Sequence, residues 1–388
     1  MLTNLNKYKE NFKHYTELRL QENKSFSVGL LNGSLVSNAE SSESGVSSRV
    51  FSGGSWGFSS NAEINDSTIG RVINASSENA AFLNKKSKTS CGLFLPEDIY
   101  NYELNLSTNK NKNSNAYWIS FIKDLDNYIE NKYKNVSSRR IFMSSLDMEK
   151  NLITSIGSES YSLTPRALLY IVLTVNNNGE PTELMDVFGG LGQLEDNFIN
   201  VEYYYSKIDE LVDKLVKKSK GVHAKAGFRD VVLDADLAGI LAHEAIGHTA
   251  EADFVLGGSV AKENLNNKVA SESITLVDYA HSINDKICPV PVYVDDEGTK
   301  AKDVTIIENG ILKKYMHNKD TAQELKMELT GNARAYKYSD EPLIRMRNTA
   351  IEKGKDKLKD MISSIDDGYY LTRSSNGQAD STGEFMFG

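Results

Sequence analysis

Two histidines and a glutamate stand together in the run His243-Glu244-Ala245-Ile246-Gly247-His248. Neutral imidazoles ligate zinc and similar metals well. A neighbouring carboxylate can take a proton from metal-bound water, whose pKa the metal lowers to about 7. The chemistry on offer is metal-assisted hydrolysis, with His243 and His248 as ligands and Glu244 as general base. The spacing resists it. In the HExxH pattern the two histidines are four residues apart and share a helix face. Here they are five apart, which in a regular α-helix turns them about 140° from each other. One extra residue in the turn repairs the geometry, because a π-turn bonds i to i+5 and recurs at functional sites. Gly247 is where such a distortion meets least side-chain clash. A bulged or broken helix is therefore predicted between His243 and His248. Otherwise the spacing leaves another reading open, of two unrelated histidines, one capping the helix and one in the core.

The element that must carry these residues is a helix. Asp234 or Asp236 supplies its N-cap, and Leu237, Ile240 and Leu241 fall on one face. A short strand from Val231 leads into it. Strand signals follow at Ile274–Tyr279, Val290–Val294, Val304–Ile307 and Ile311–Tyr315, the last two flanking Asn309-Gly310. Asn-Gly between apolar runs is a strong hairpin signal. Earlier in the chain a helix is expected at the start. A hairpin follows at Asn32-Gly33, then strands at Val46–Phe51 and Trp56–Ser59 and a helix over about 66–85. The Asn-rich stretch Cys91–Lys112 is expected to include a linker. Tyr117–Tyr133 has helical spacing, Arg139–Phe188 is strand-rich with a turn at Asn178-Gly179, and Tyr205–Lys220 is an amphipathic helix closed by Gly221. The fold class predicted is α+β. An N-terminal α/β domain with a mainly antiparallel sheet covers residues 1–221. A β-rich C-terminal domain carrying the metal-binding helix covers 222–388.

Composition narrows the function classes. A length of 388 residues suits two domains. A formal net charge of −9 argues against nucleic acid, whose phosphates need clustered Lys and Arg. The two cysteines, Cys91 and Cys288, lie far apart and suggest a reducing compartment rather than a disulfide scaffold. The first residues lack the apolar core of a signal peptide, and apolar runs such as Ala167–Val175 are too short to span a bilayer. A cytoplasmic location and no membrane contact are expected. Asp295-Asp296-Glu297-Gly298 lacks EF-hand spacing and reads as an acidic turn or a cation site. Arg345 and Arg347, near Asn348, could hold a peptide carboxylate or form structural ion pairs.

The segment VVLDADLAGILAHEAIGHTAEADF closely resembles the active-site segment of the TldD/PmbA family, in the TldD-like branch that keeps HExxxH. NGSLVSN, SGVSSRVFSGGSWGFSSN, VYVDDEGTKAKDVTIIENGILKKYMHN, TGNARAYKYSDEPLIRMRNTAIEKG and DGYYLTRSSNGQADSTGEF resemble other parts of that family in the same order. The resemblance implies a metallopeptidase with His243 and His248 as ligands of zinc, or of iron, and Glu244 as general base. Glu251 and Asp253 match acidic positions that would brace the ligands or meet substrate; Arg345 and Asn348 are substrate candidates on their residue types alone. It also implies hydrolysis of unfolded peptides, including antibacterial peptide precursors, with a PmbA/TldE-like partner subunit or as a homodimer. Family members continue past the GQADSTGEF segment into a tail whose glycine-flanked cysteine is the third metal ligand. This chain stops at Gly388, and neither Cys91 nor Cys288 matches that position. The resemblance therefore implies a truncated or split chain whose metal site is short of one ligand, with a catalytically impaired peptide-binding or scaffold subunit as the alternative.

Overall fold

The computed structural model describes residues 4–86, 99–373, 377–380, 382 and 384–387, so Cys91 lies outside the described residues. After a 3-10 turn at Leu5–Asn11, in place of the expected α-helix, the chain enters two long strands, β1 (Tyr15–Leu31) and β2 (Ser34–Ser52). Their turn is Asn32-Gly33, with φ of 47° and 79°. Both residues need positive φ in this two-residue hairpin, which Asn and Gly tolerate. Strand β3 (Ser55–Asn61) and helix α1 (Asp66–Lys86) follow. Strand β4 (Asn101–Asn105) lies inside the stretch expected to include a linker, and it pairs in parallel with Glu159–Leu163. Helix α2 (Asn115–Lys132) leads to β5 (Val136–Thr154), β6 (Glu159–Asn177) and β7 (Glu180–Leu191). The short helix α3 (Leu194–Asn197) and helix α4 (Tyr205–Ser219) close this part. The strands form one sheet in the order β3-β2-β1-β5-β6-β4, with β7 also on β6, antiparallel except at β4. Helices α2 and α4 bury Trp118, Ile122, Leu125, Ile208 and Leu215 against Val28, Ile141, Leu169 and Ile171 of the sheet, and α1 covers Leu18, Leu20 and Val46.

Beyond an exposed connection at 221–229 the character changes. Strand β8 (Asp230–Leu233) runs into helix α5 (Ala235–Leu241), and α6 (Ala252–Leu256) comes shortly after. Strand β9 (Leu276–Tyr279) is central to a four-stranded sheet with β12 (Val304–Glu308), β13 (Ile311–Leu312) and β16 (Asn348–Ile351), in the order β13-β12-β9-β16. Small pieces fill the gaps: the hairpin β10 (Ser282–Ile283) and β11 (Lys286–Ile287), helix α7 (Lys319–Leu325), and the hairpin β14 (Ala333–Arg334) and β15 (Leu343–Ile344). Val290–Val294 is not a strand, although Val294 bridges Lys300. Pro289 and Pro291 remove ladder donors there. The core of this half gathers Ala250, Val255, Leu276, Val304, Ile306, Tyr315, Met316, Ile344 and Met346. No helix of the described residues is long and apolar enough to cross a membrane.

The acidic run at Asp295 is where the two halves meet. Lys319 Nζ donates to Glu17 Oε1 at 2.8 Å and to the Glu297 carbonyl. Arg49 pairs with Glu297 and stacks 3.7 Å over the Trp56 ring. Lys150 holds Asp296 at 2.6 Å. Buried charges survive only when paired, and these three carboxylate–cation contacts join β1, β2 and β5 to the C-terminal half. Asp295 instead accepts from the backbone of Glu297, Thr299 and Ala333, and burial pushes its carboxyl up to about 8.

Candidate metal centre

Asp234 is the N-cap of α5, its carboxylate accepting from Leu237 N at 2.8 Å. The helix then departs from α-geometry. Residues Ala242–Gly247 form a π-turn in which His248 N–H donates to His243 O. That i→i+5 bond brings the two histidine rings next to each other, as the spacing requires. Their ring centroids are 4.7 Å apart with planes at 80°. Gly247 has a packing reason to lack a side chain, since a Cβ there would lie 1.9 Å from Met346 Sδ. A 3-10 turn at His248–Ala250 delivers the chain to Glu251.

Glu251 is buried at 1% exposure. Its Oε1 accepts from Met346 N at 3.3 Å, and its Oε2 lies 3.5 Å from His248 Nδ1, a long contact. The carboxylate raises the His248 pKa, the bond to Glu251 outweighing burial. Burial, aided by the charge of His248, lowers that of His243. Glu244 is half-buried, and its carboxylate makes no hydrogen bond or ion pair with the described residues. The charges of Glu244 and Arg345 also bear on His248, Glu244 raising its pKa and Arg345 lowering it. Arg345 is exposed and has no ion-pair partner among the described residues. Asp253 is exposed in the first turn of α6 and accepts from Phe254 N.

Asn348 is used otherwise. Its Nδ2 donates to the carbonyls of Tyr279 and Val290, and its Oδ1 accepts from Val290 N, so the side chain staples β16 to its neighbours. Arg347 likewise spends all three guanidinium nitrogens on Asp278 and on the carbonyls of Thr330, Gly331 and Lys302. Cys288 is buried, and desolvation raises its thiol pKa. Among the described residues no third His, Cys, Asp or Glu joins the two histidines in a preformed metal cluster. Met346 carried no signal in the sequence, because it acts through a backbone N–H and the thioether that fills the space at Gly247.

A family model described as PmbA/TldA metallopeptidase domain 1 matches residues 16–80, and one described as PmbA/TldA metallopeptidase C-terminal domain matches residues 226–388. A metalloprotease of Methanocaldococcus jannaschii is 30% identical over 388 aligned positions, covering 96% of this chain and 81% of its own length. The chain belongs to the TldD/PmbA metallopeptidase family. A second member, named zinc metalloprotease TldD homolog, from Saccharolobus solfataricus, is 31% identical over 359 positions, covering 89% of this chain and 74% of its own. The crystal structure of TldE from Thermococcus kodakarensis aligns with 99% of this chain and 85% of that one at a TM-score of 0.71. At 19% identity that likeness is one of fold.

Proposed function

We propose that this chain is the metal-binding subunit of a peptidase, with zinc (iron being the alternative) held by His243 and His248. The observation that carries the reading is the π-turn, which turns a spacing unsuited to an α-helix into a pair of adjacent imidazoles, set edge to face. The donor chemistry suits a metal. With Glu251 against Nδ1 of His248, Nε2 is left free, the usual arrangement of a metal-bound imidazole braced by a carboxylate. A bound metal supplies polarisation of the scissile carbonyl and a lowered pKa for water. Glu244, with no competing partner among the described residues, takes the proton from that water on its carboxylate and passes it to the leaving amine. Arg345 at the rim offers a planar donor fork for a peptide carboxylate or carbonyl, and Asp253 favours an approaching cationic group. The substrate is an unfolded or extended peptide held mainly through its main chain. A TldE-like subunit is the partner, by analogy with the similarly folded TldE, with a homodimer as the other arrangement.

A second reading keeps the peptide-binding surface and drops the chemistry. It is favoured by the lack, among the described residues, of a third ligand beside the histidines, since catalytic zinc has three protein ligands. Unfolded peptide incubated with the metal-loaded chain, alone and with a TldE-like subunit, separates the two. Cleavage lost in Glu244→Gln supports the peptidase. Peptide binding without cleavage in either setting supports the scaffold.

A further inference from the structure

The hairpin β14–β15 and its loop run from the metal centre to the N-terminal sheet and back. At the far end, the loop is held by its carbonyl groups and by two ion pairs, Arg49 with Glu341 at 2.8 Å and Lys337 with Glu43 at 3.0 Å. Arg19 of β1 donates through Nη2 to the carbonyls of Lys337 and Asp340, at 3.2 and 2.8 Å. Gln21 and Asn23, on the same strand face, both donate to the Tyr336 carbonyl at 2.6 and 2.8 Å. Lys150 of β5 donates to the Ala335 carbonyl at 2.8 Å. Tyr338 packs on Gly45, where a Cβ would come within 2.3 Å of the ring. At the near end, the Asn332 and Arg345 backbones bond at 3.0 Å, Arg334 donates to the Met346 carbonyl, and Met346 N donates to Glu251.

We propose that Arg19 is a positioning residue for the metal centre, acting through the loop Ala335–Pro342 and the Met346–Glu251–His248 contacts. The inference rests on the metal reading of His243 and His248. Its physical content is that Met346 can fill the space at Gly247 and hold Glu251 only while the hairpin is pinned at its tip. Arg19 is buried with its side chain 3% exposed and binds two carbonyls, with Asp296 3.6 Å away as counter-charge. Among the described residues no other side chain ties both ends of the tip, Lys337 and Asp340, to the sheet. Loss of an outer partner of a metal-bound imidazole weakens metal affinity about 10–100-fold.

The test compares Arg19→Met with Tyr102→Leu in the full chain. Tyr102 stacks on Tyr293 at 4.5 Å and joins the same two halves without touching the hairpin. Zinc affinity is measured by chelator competition, alongside the visible spectrum of the cobalt-loaded chain and amide exchange over residues 242–251 and 343–347. Arg19→Met is expected to raise the zinc Kd about 10-fold or more, to alter the cobalt spectrum and to speed exchange in both segments. Arg19→Lys, which keeps a cation and a donor, recovers part of each effect, and Tyr102→Leu leaves all three at parental values. Unchanged affinity and exchange in a folded Arg19→Met overturns the proposal, as do equal effects from Tyr102→Leu. If the parent binds no metal, the metal reading fails, yet amide exchange still decides whether Arg19 orders Met346 and the π-turn.

Discussion

Replacing Gly247 by alanine puts a methyl group where the Met346 thioether now sits. The added Cβ would lie 1.9 Å from Sδ, 3.0 Å from Cε and 3.3 Å from the Ala242 carbonyl. Two effects oppose each other. Alanine is preferred to glycine within a helix by about 1 kcal/mol, and overpacking a filled core costs about 1–3 kcal/mol. A flexible methionine tail often yields cheaply, but Met346 is 6% exposed and its N–H and C=O are both bonded, so its backbone is fixed and its tail has little free space. The clash therefore wins, and Gly247→Ala is expected to destabilise by about 1–2 kcal/mol. Urea unfolding of Gly247→Ala, Met346→Ala and the double variant completes a cycle. Met346→Ala alone costs about 2–5 kcal/mol. It costs less when Gly247→Ala is already present, giving a coupling of about 1 kcal/mol or more. Gly70 of α1, with nothing within 4 Å of its Cβ position, is the control, and Gly70→Ala gains up to about 1 kcal/mol. A Gly247→Ala protein as stable as the parent, with no coupling to Met346, refutes the reasoning.

Three further outcomes follow from the same contacts. Glu244→Gln should keep its metal and lose peptidase activity by about 10²-fold or more, read from metal content and cleavage of an unfolded peptide. Arg347→Met leaves Asp278 as a buried, poorly compensated charge and should cost about 3–5 kcal/mol in urea unfolding; adding Asp278→Asn should restore part of it. Burial pushes His317 down to about 4, from an ordinary value near 6.5. Between those pH values the unfolded chain binds a proton that the folded chain refuses, so stability rises with pH there. It falls by about 3 kcal/mol from pH 7 to pH 4 on this account alone, and His317→Gln should flatten that slope in urea titrations across the range.

Local rules made part of this molecule legible. The turns at Asn32-Gly33, Asn178-Gly179 and Asn309-Gly310 all carry positive φ at both residues, a demand that Asn-Gly announces in any sequence. The reach of β2 was not legible, because its Ser-rich segment 37–45 has no apolar alternation and is a strand only because β1 pairs with it. Strand β4 lay hidden in an Asn-rich stretch for the same reason, since β6 supplies its partner. At the candidate site, the five-residue histidine spacing predicted the π-turn. What braces it comes from 95 residues away, where a methionine backbone meets Glu251, and no local pattern encodes that contact. The closeness of Asn348 to Arg345 along the chain suggests a place at the site, but β16 pairing turns its amide to structural use.

The account stands on metal bound by His243 and His248. Metal per chain, measured on the purified protein beside His243→Ala, tests it most directly. It predicts about one metal ion per chain in the parent and loss of that ion in the variant. Metal content in the parent no higher than in His243→Ala would contradict it.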